Sequence, residues 1–531
     1  MAADPISLAV FNSLFSSIAE EMGAVLVRSS LSPNIRERRD LSCAVFDARG
    51  QMVAQAAHIP VHLAAMPASV EAVQGLAPFR PGDLYILNDP YLGGSHLPDV
   101  TMVSPVFFGK RLIGFVASRA HQSDIGGMAP GSMPLAQELI QEGLIIPPVR
   151  LYDRGRLNED VLALILRNVR TPEERRGDFE AQVAAQRTGE RRFVELAEQY
   201  GTTGLGRHMR DLLQYAERLT LARLCRVPAG DYEFEDFMDD DGTSEEPVGI
   251  RLKLTFADGR LTADFTGSAA ERPGSVNAVA AVTRSATYYA VCCLLGGDAP
   301  LNAGVFRPVT VVLPPNSIVS PGVGKAVSAG NVETSQRIVD TVLGALAKAL
   351  PDVMPAASSG TMNNVVAGGF DAAKNRPFTY YETLAGGAGG GPNRDGMSAV
   401  HTHMTNTLNT PVEMIETAYP MRVREYSIVE ESGGNGVHRG GNGLRRTYEF
   451  LVPTQLTLVS ERRRFQPWGV HGGDPGRSGA NRLVRADGTQ QPLTAKAMLA
   501  VEPGDRLVVE TPGGGGWGAA RTAPDTTGST E

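Results

Sequence analysis

Apolar residues recur at helical spacing from the start of the chain. Phe11, Leu14, Phe15, Ile18, Met22, Val25 and Leu26 form one stripe behind Asp4, an N-cap, and Pro5 at the first helical position. That pattern predicts an amphipathic helix ending near Ser29, with its stripe in the core. A charged loop from Ser32 to Asp40 leads into predicted strands over 41–46 and 52–57, with Asp47-Ala48-Arg49-Gly50 as the turn. Two further strand-like runs, 99–108 and 112–120, are joined by Gly109-Lys110-Arg111 and predict a β-hairpin. Thr171-Pro172-Glu173-Glu174 reads as a capping box opening a long polar helix to about Tyr200, and a second amphipathic helix follows to about Cys225. Their many charged positions predict an outer layer or an arm.

From Gly230 the pattern changes to strands, over 231–238, 250–256, 261–265 and 309–313, with Asp239-Asp240-Asp241 in a turn. Helices are predicted over 276–295 and 330–350, and short strands with glycine turns fill 421–509. The fold class is therefore α+β and multi-domain. Residues 1–170 form an N-terminal α/β domain, 171–229 a helical arm, 230–420 a central α/β domain, 421–518 a β-rich module and 519–531 a disordered tail.

Composition narrows the class. The 531 residues are 42% hydrophobic and 20% charged, as in a water-soluble globular protein. The net charge of −8, with no basic block, argues against a nucleic-acid partner. Four cysteines, with Cys292 and Cys293 adjacent and read as small core residues, give no disulfide framework and fit a cytoplasmic location. The apolar stretches broken by Arg284 and Lys348 fall short of the ~20 residues that span a membrane, so no membrane segment is expected.

Candidate chemistry concentrates between Tyr85 and Gly127. The pattern His-x-x-Asp occurs there twice, as His96 with Asp99 and as His121 with Asp124. The predicted hairpin folds the second copy beside the first, so two imidazoles and two carboxylates converge where strands meet loops. Such a donor set suits a divalent metal of the Zn or Mn type. The motif is weak alone; its repetition across a hairpin is what points to a metal. His58 and His62 are separated by Pro60, which interrupts any helical face, and are read as packed or capping groups. The loop LAGGAGGGP, Leu384 to Pro392, lacks the Gly-Lys-Ser/Thr ending of a nucleotide phosphate loop. It is either a mobile connector or an anion nest built from the N–H groups of Gly386, Gly387, Gly389 and Gly390. His401 and His403 share one face of an extended segment and can line a polar pocket.

Several long segments carry a family resemblance: SPNIRERRDLSCAVFD, AAHIPVHLAAMP, LNDPYLGGSHLPDV, HQSDIGG, GNVETSQRI, HTHMTNTLNTPVE and TPGGGGWG. From about residue 4 to 518 the chain resembles the B-type component of ATP-dependent hydantoinases. It is similar in the same way to the C-terminal half of eukaryotic-type 5-oxoprolinase and to the related subunit of acetone and acetophenone carboxylases. The resemblance implies a hetero-oligomer in which ATP is held by a hydantoinase A-type ATPase subunit, which phosphorylates a cyclic amide. The present chain then hydrolyses the activated ring. It implies Mn or Zn held by His96, Asp99 and His121, with Asp40 as a further ligand and Asp124 as proton acceptor. In such a mechanism the glycine loop, if it is a nest, and the face carrying His401 and His403 are candidates for holding phosphate or the developing oxyanion. The alternatives are a subunit of an acetone- or acetophenone-type carboxylase, or a non-catalytic scaffold with a structural metal.

Overall fold

Asp4 caps the first helix, Pro5–Ser29, accepting from the N–H groups of Ile6 (3.4 Å) and Ser7 (3.1 Å). The computed structural model describes residues 4–56, 58–296 and 299–520. Ala57 of the second predicted strand and residues 521–531 of the expected tail lie outside the described residues. The first helix is long and apolar enough to cross a membrane by length and composition, unlike the stretches broken by Arg284 and Lys348. Here Phe15, Ile18 and Met22 pack with Val45, Val116 and Phe193 in one hydrophobic cluster.

The sheet beneath that helix has seven antiparallel strands. In spatial order they are Met52–Gln55, Leu41–Asp47, Arg111–His121, Asp99–Phe108, Leu84–Leu87, Val149–Asp153 and Arg156–Leu157. Alternation along Leu41–Asp47 divides its side chains between two cores. Val45 joins the cluster under the first helix, whereas Ala44 and Phe46 face the large central cluster. The helices Pro172–Tyr200 and Thr202–Leu224 complete the cover. They form a layer on the sheet rather than an arm. The Gln182 and Gln186 amides are buried and donate to the carbonyls of Val100 (3.1 Å) and Met102 (2.8 Å). The predicted capping box does not form: the Thr171 hydroxyl makes no cap bond, and Glu174 turns instead to Ser123 and Arg175.

The central strands Gly230–Met238, Val248–Ala257, Arg260–Asp264 and Val309–Val312 form a second sheet that packs on the helices Ala280–Leu295 and Ser335–Ala349. Cys293 is exposed and Cys292 only partly covered, not core as expected. A third sheet crosses the boundary drawn at residue 420. Thr454–Val459 lies between Asn364–Asp371 and Lys496–Val501. Five further strands between Met421 and Glu510 form the last sheet. Ion pairs tie these layers together, including the buried pairs of Arg462 with Asp236 (2.9 Å) and Asp340 (2.6 Å), and buried Lys496 with the partly exposed Asp240 (3.1 Å).

The glycine-rich segments are a structural core, which corrects both readings of residues 384–392. The N–H groups of Gly386, Gly387 and Gly390 donate to the carbonyls of Val400 (3.2 Å), Pro512 (3.0 Å) and Gly515 (2.8 Å), so they cannot cradle an anion. Neighbouring segments continue the contact, with Gly441 N–H donating to Ala388 O (2.8 Å) and Gly514 N–H to Gly441 O (2.9 Å). The backbones approach so closely that a Cβ on Gly387 would overlap the Gly441 carbonyl, and one on Gly389 the Ala356 carbonyl. Glycine is required here for close approach, not for mobility.

Candidate metal centre

The hairpin register sets Asp99 directly opposite His121. The next strand, Leu41–Asp47, pairs on the other side with Leu41 opposite Ala120, and the His121 N–H donates to the Asp40 carbonyl (3.1 Å). His96 arrives from the turn ahead of the hairpin, where its carbonyl accepts from Asp99 N–H (3.1 Å). Asn88 holds that turn by donating to the carbonyls of Leu97 (2.8 Å) and Leu144 (2.9 Å). Asn34 donates to the His121 carbonyl (2.7 Å).

One nitrogen each of His96 and His121 and one oxygen of Asp99 lie within 4.8 Å of one another, and all three residues are buried. His96 Nε2 is 3.3 Å from Asp99 Oδ2, and His121 Nδ1 is 3.3 Å from Asp99 Oδ1. Proximity does not become hydrogen bonding, because both His96 ring nitrogens, Asp99 Oδ1 and His121 Nε2 are buried without a partner. Orphaned polar atoms are expensive in a protein interior unless something meets them. Burial alone would raise the Asp99 pKa, but His96, His62 and His121 outweigh it and hold the carboxyl well below the usual range. Burial lowers the His121 pKa against the opposing pull of Asp99 and Asp40. An ionised carboxylate beside a neutral imidazole is the protonation state that divalent metals require. The donor set therefore fits such an ion.

Beside the cluster is a cavity of about 20 Å³, lined by His62, Asp99, His121 and Asp40 among others. That volume admits a water or an ion but no ring. Asp40 reaches the cavity without joining the three donors within 4.8 Å, and Arg38 Nη2 stands 3.9 Å from its carboxylate.

His62, read from sequence as a packed or capping group, contacts the cluster through Asp99. It lies 3.2 Å from Asp99 Oδ2 through Nε2 and 2.8 Å from Ser42 Oγ through Nδ1. The short helix Pro60–His62 carries it in, so Pro60 starts the element rather than spoiling it. Ser95 donates to Asp99 Oδ2 (2.6 Å), and Arg119, fully buried, reaches Ser95 Oγ (3.4 Å) and Thr101 Oγ1 (2.8 Å). Tyr381 stacks on the His121 ring at 4.4 Å. No local pattern in the sequence marks Arg119 or Tyr381, since each reaches the site by tertiary contact.

Asp124, expected beside the metal, faces another way. Its carboxylate accepts from the N–H groups of Gly126 (3.2 Å), Gly131 (3.2 Å) and Arg170 (2.8 Å), and from Arg170 Nη1 (2.9 Å). It clamps a loop and has no place in the donor set. His401 and His403 also stay out of the cavity lining, which takes Met404 and Thr405 instead. The extended segment that would align them ends in a turn, with His403 at φ 57° and its Nε2 3.5 Å from Asp340. Burial, with Arg38 nearby, pushes the His401 pKa down to about 3.

The hydantoinase B/oxoprolinase family model matches residues 4–520. A 5-oxoprolinase of Arabidopsis thaliana is 39% identical over 97% of this chain, but the chain spans only 42% of that protein. The B-type component of a putative D-/L-hydantoinase from a Pseudomonas species is 31% identical, over 97% of this chain and 90% of its own. The crystal structure of an ATP-dependent caprolactamase from Pseudomonas jessenii superposes with a TM-score of 0.89 at 28% identity, covering 98% of this chain and 92% of that one. Acetone carboxylase, at 18% identity and a TM-score of 0.90 over 97% of this chain and 76% of its own, shares the fold. By sequence and by fold, the chain belongs to the hydantoinase B/oxoprolinase family.

Proposed function

We propose that this chain hydrolyses a cyclic amide after a hydantoinase A-type ATPase partner has phosphorylated it, using one Zn or Mn ion held by His96, Asp99 and His121. The observation that carries the reading is the buried donor set whose polar atoms have no partner in the protein. When bound, the ion supplies a Lewis acid and lowers the pKa of a coordinated water. Asp40 stands at the cavity wall as a further anionic group, and Ser95 with Arg119 fixes the Asp99 carboxylate. His62, between Ser42 and Asp99, is the group we assign to orient the Asp99 carboxylate, and Asp124 has no part in the site.

Chemistry and the relatives support a partner. A lactam or imide is a poor electrophile, and phosphorylation of its oxygen makes it a better one. No nucleotide phosphate loop occurs in this sequence. The similar caprolactamase is described as ATP-dependent and the similar hydantoinase chain as a subunit. The test is product formation from a panel of small cyclic amides by this chain, by the partner and by the two mixed, each with and without ATP. Product is expected only from the mixture with ATP. Rapid ring opening by this chain alone without ATP would make it a self-sufficient hydrolase.

A further inference from the structure

We propose that the groove beside the metal cavity is an oxyanion site, in which Arg28 and Arg39 hold the negatively charged group of a small ring substrate. The inference rests on the cavity being the reaction site. The groove has a volume of about 520 Å³, within the range of small-molecule sites, and Ile59 lines both spaces. Because the inner cavity is too small for a ring, the body of any substrate reaching His96, Asp99 and His121 must rest in the space outside it. The groove walls suit that body, with Val27, Leu41, Ile59 and Leu408 giving apolar surface.

Arg39 is held there by an unusual backbone. Its φ is 57°, in the left-handed region that glycine enters freely and other residues enter at a cost on the order of 1 kcal/mol. That turn separates three consecutive side chains. Arg38 is buried, with Nη2 donating to Thr383 Oγ1 (2.9 Å), and Asp40 lines the metal cavity, while Arg39 is left exposed at the groove. A guanidinium kept where glycine would be easier is a reason to look for what it binds. Arg28 meets the same groove from the last turn of the first helix. Among the described residues neither arginine takes part in an ion pair, although the flanking Arg36 and Arg38 do.

The remaining polar lining is compatible with an anion. His58 Nδ1 accepts from Cys43 N–H (3.1 Å), and burial lowers the His58 pKa to about 4. The ring is therefore neutral at pH 7 and carries its proton on Nε2, the nitrogen packed towards Gly23. Glu20 opposes with one negative charge, leaving the two arginines a net charge of +1 over the lining. Arginine suits this task because its planar donors pair with both carboxylate and phosphate oxygens. The oxyanion has two chemical sources, the phosphoryl group added to the ring and a carboxylate already on it.

The experiment is binding of phenyl phosphate and of benzoate to the full chain by calorimetry, with metal removed by chelation so that metal–anion contacts do not contribute. Wild type is compared with Arg28→Gln, Arg39→Gln, the double variant and Arg39→Gly, which keeps the backbone conformation. At least one probe is expected to bind wild type and to weaken about tenfold in the double variant, with Arg39→Gly weakened like Arg39→Gln and circular dichroism unchanged. The stronger probe identifies the source of the charge. No binding of either probe to wild type, or equal binding by the double variant, would overturn the assignment. Since no turnover is read, this failure is separable from failure of the proposed hydrolysis.

Discussion

Gly387→Ala is expected to lose most of its folded protein, destabilising by on the order of 4 kcal/mol or more, although it adds a single methyl group. The new Cβ would overlap the carbonyl of Gly441, which itself accepts from Gly514 N–H, so backbone rather than a flexible side chain would have to move. Both displaced segments belong to the same bundle, where Gly441 N–H donates to Ala388 O and Gly387 N–H to Pro512 O. Local relief would therefore break bonds on several segments at once. Gly391 is the internal control: its Cβ would approach Arg394 no closer than 3.9 Å, and Gly391→Ala should remain close to wild type. Urea unfolding of the two variants, with soluble yield, measures the difference. A wild-type midpoint for Gly387→Ala would show that the bundle is loose and would return the segment to the role of a mobile connector.

His96→Ala and His121→Ala are each expected to lose stoichiometric metal and to reduce ATP-dependent ring opening by at least about 100-fold, the upper range for substitutions one shell further out. Each removes one of three donors whose free atoms face no other partner. The fold should survive, because both residues stand where strands meet loops and neither belongs to a hydrophobic cluster. Asp124→Asn separates this from a general effect of disturbing the region. It weakens the clamp on Arg170 and the 126–131 loop, yet should retain the metal. Metal content and circular dichroism of each purified variant, beside turnover with the partner, decide the matter.

The hairpin and the three candidate donors it brings together were legible from sequence because periodicity, turn residues and the two His-x-x-Asp patterns are all local. His96, Asp99 and His121 meet through a register that alternation already implies. Asp124 misled for the same reason: the spacing places it near the site, but three backbone N–H groups and a guanidinium drawn from the 126–131 loop and Arg170 claim its carboxylate. The rule that proline breaks helices sets His62 aside, whereas Pro60 in fact begins a short helix. The glycine loop shows a different limit. Abundant glycine signals either freedom or close approach, and only the partner segments, Gly433–Gly443 and Gly513–Gly518, distinguish them. The left-handed turn at Arg39 has no signature at all, since an arginine is not the residue that such a φ calls for.

The most direct test of the metal assignment is anomalous X-ray diffraction from crystals of the protein loaded with Zn or Mn. One strong peak is expected at about 2.0–2.2 Å from a nitrogen of His96, a nitrogen of His121 and an oxygen of Asp99, with no comparable peak at Asp124 or His403. A fully loaded protein whose anomalous peak lies away from these three residues, or a site that stays empty at saturating metal, would contradict it.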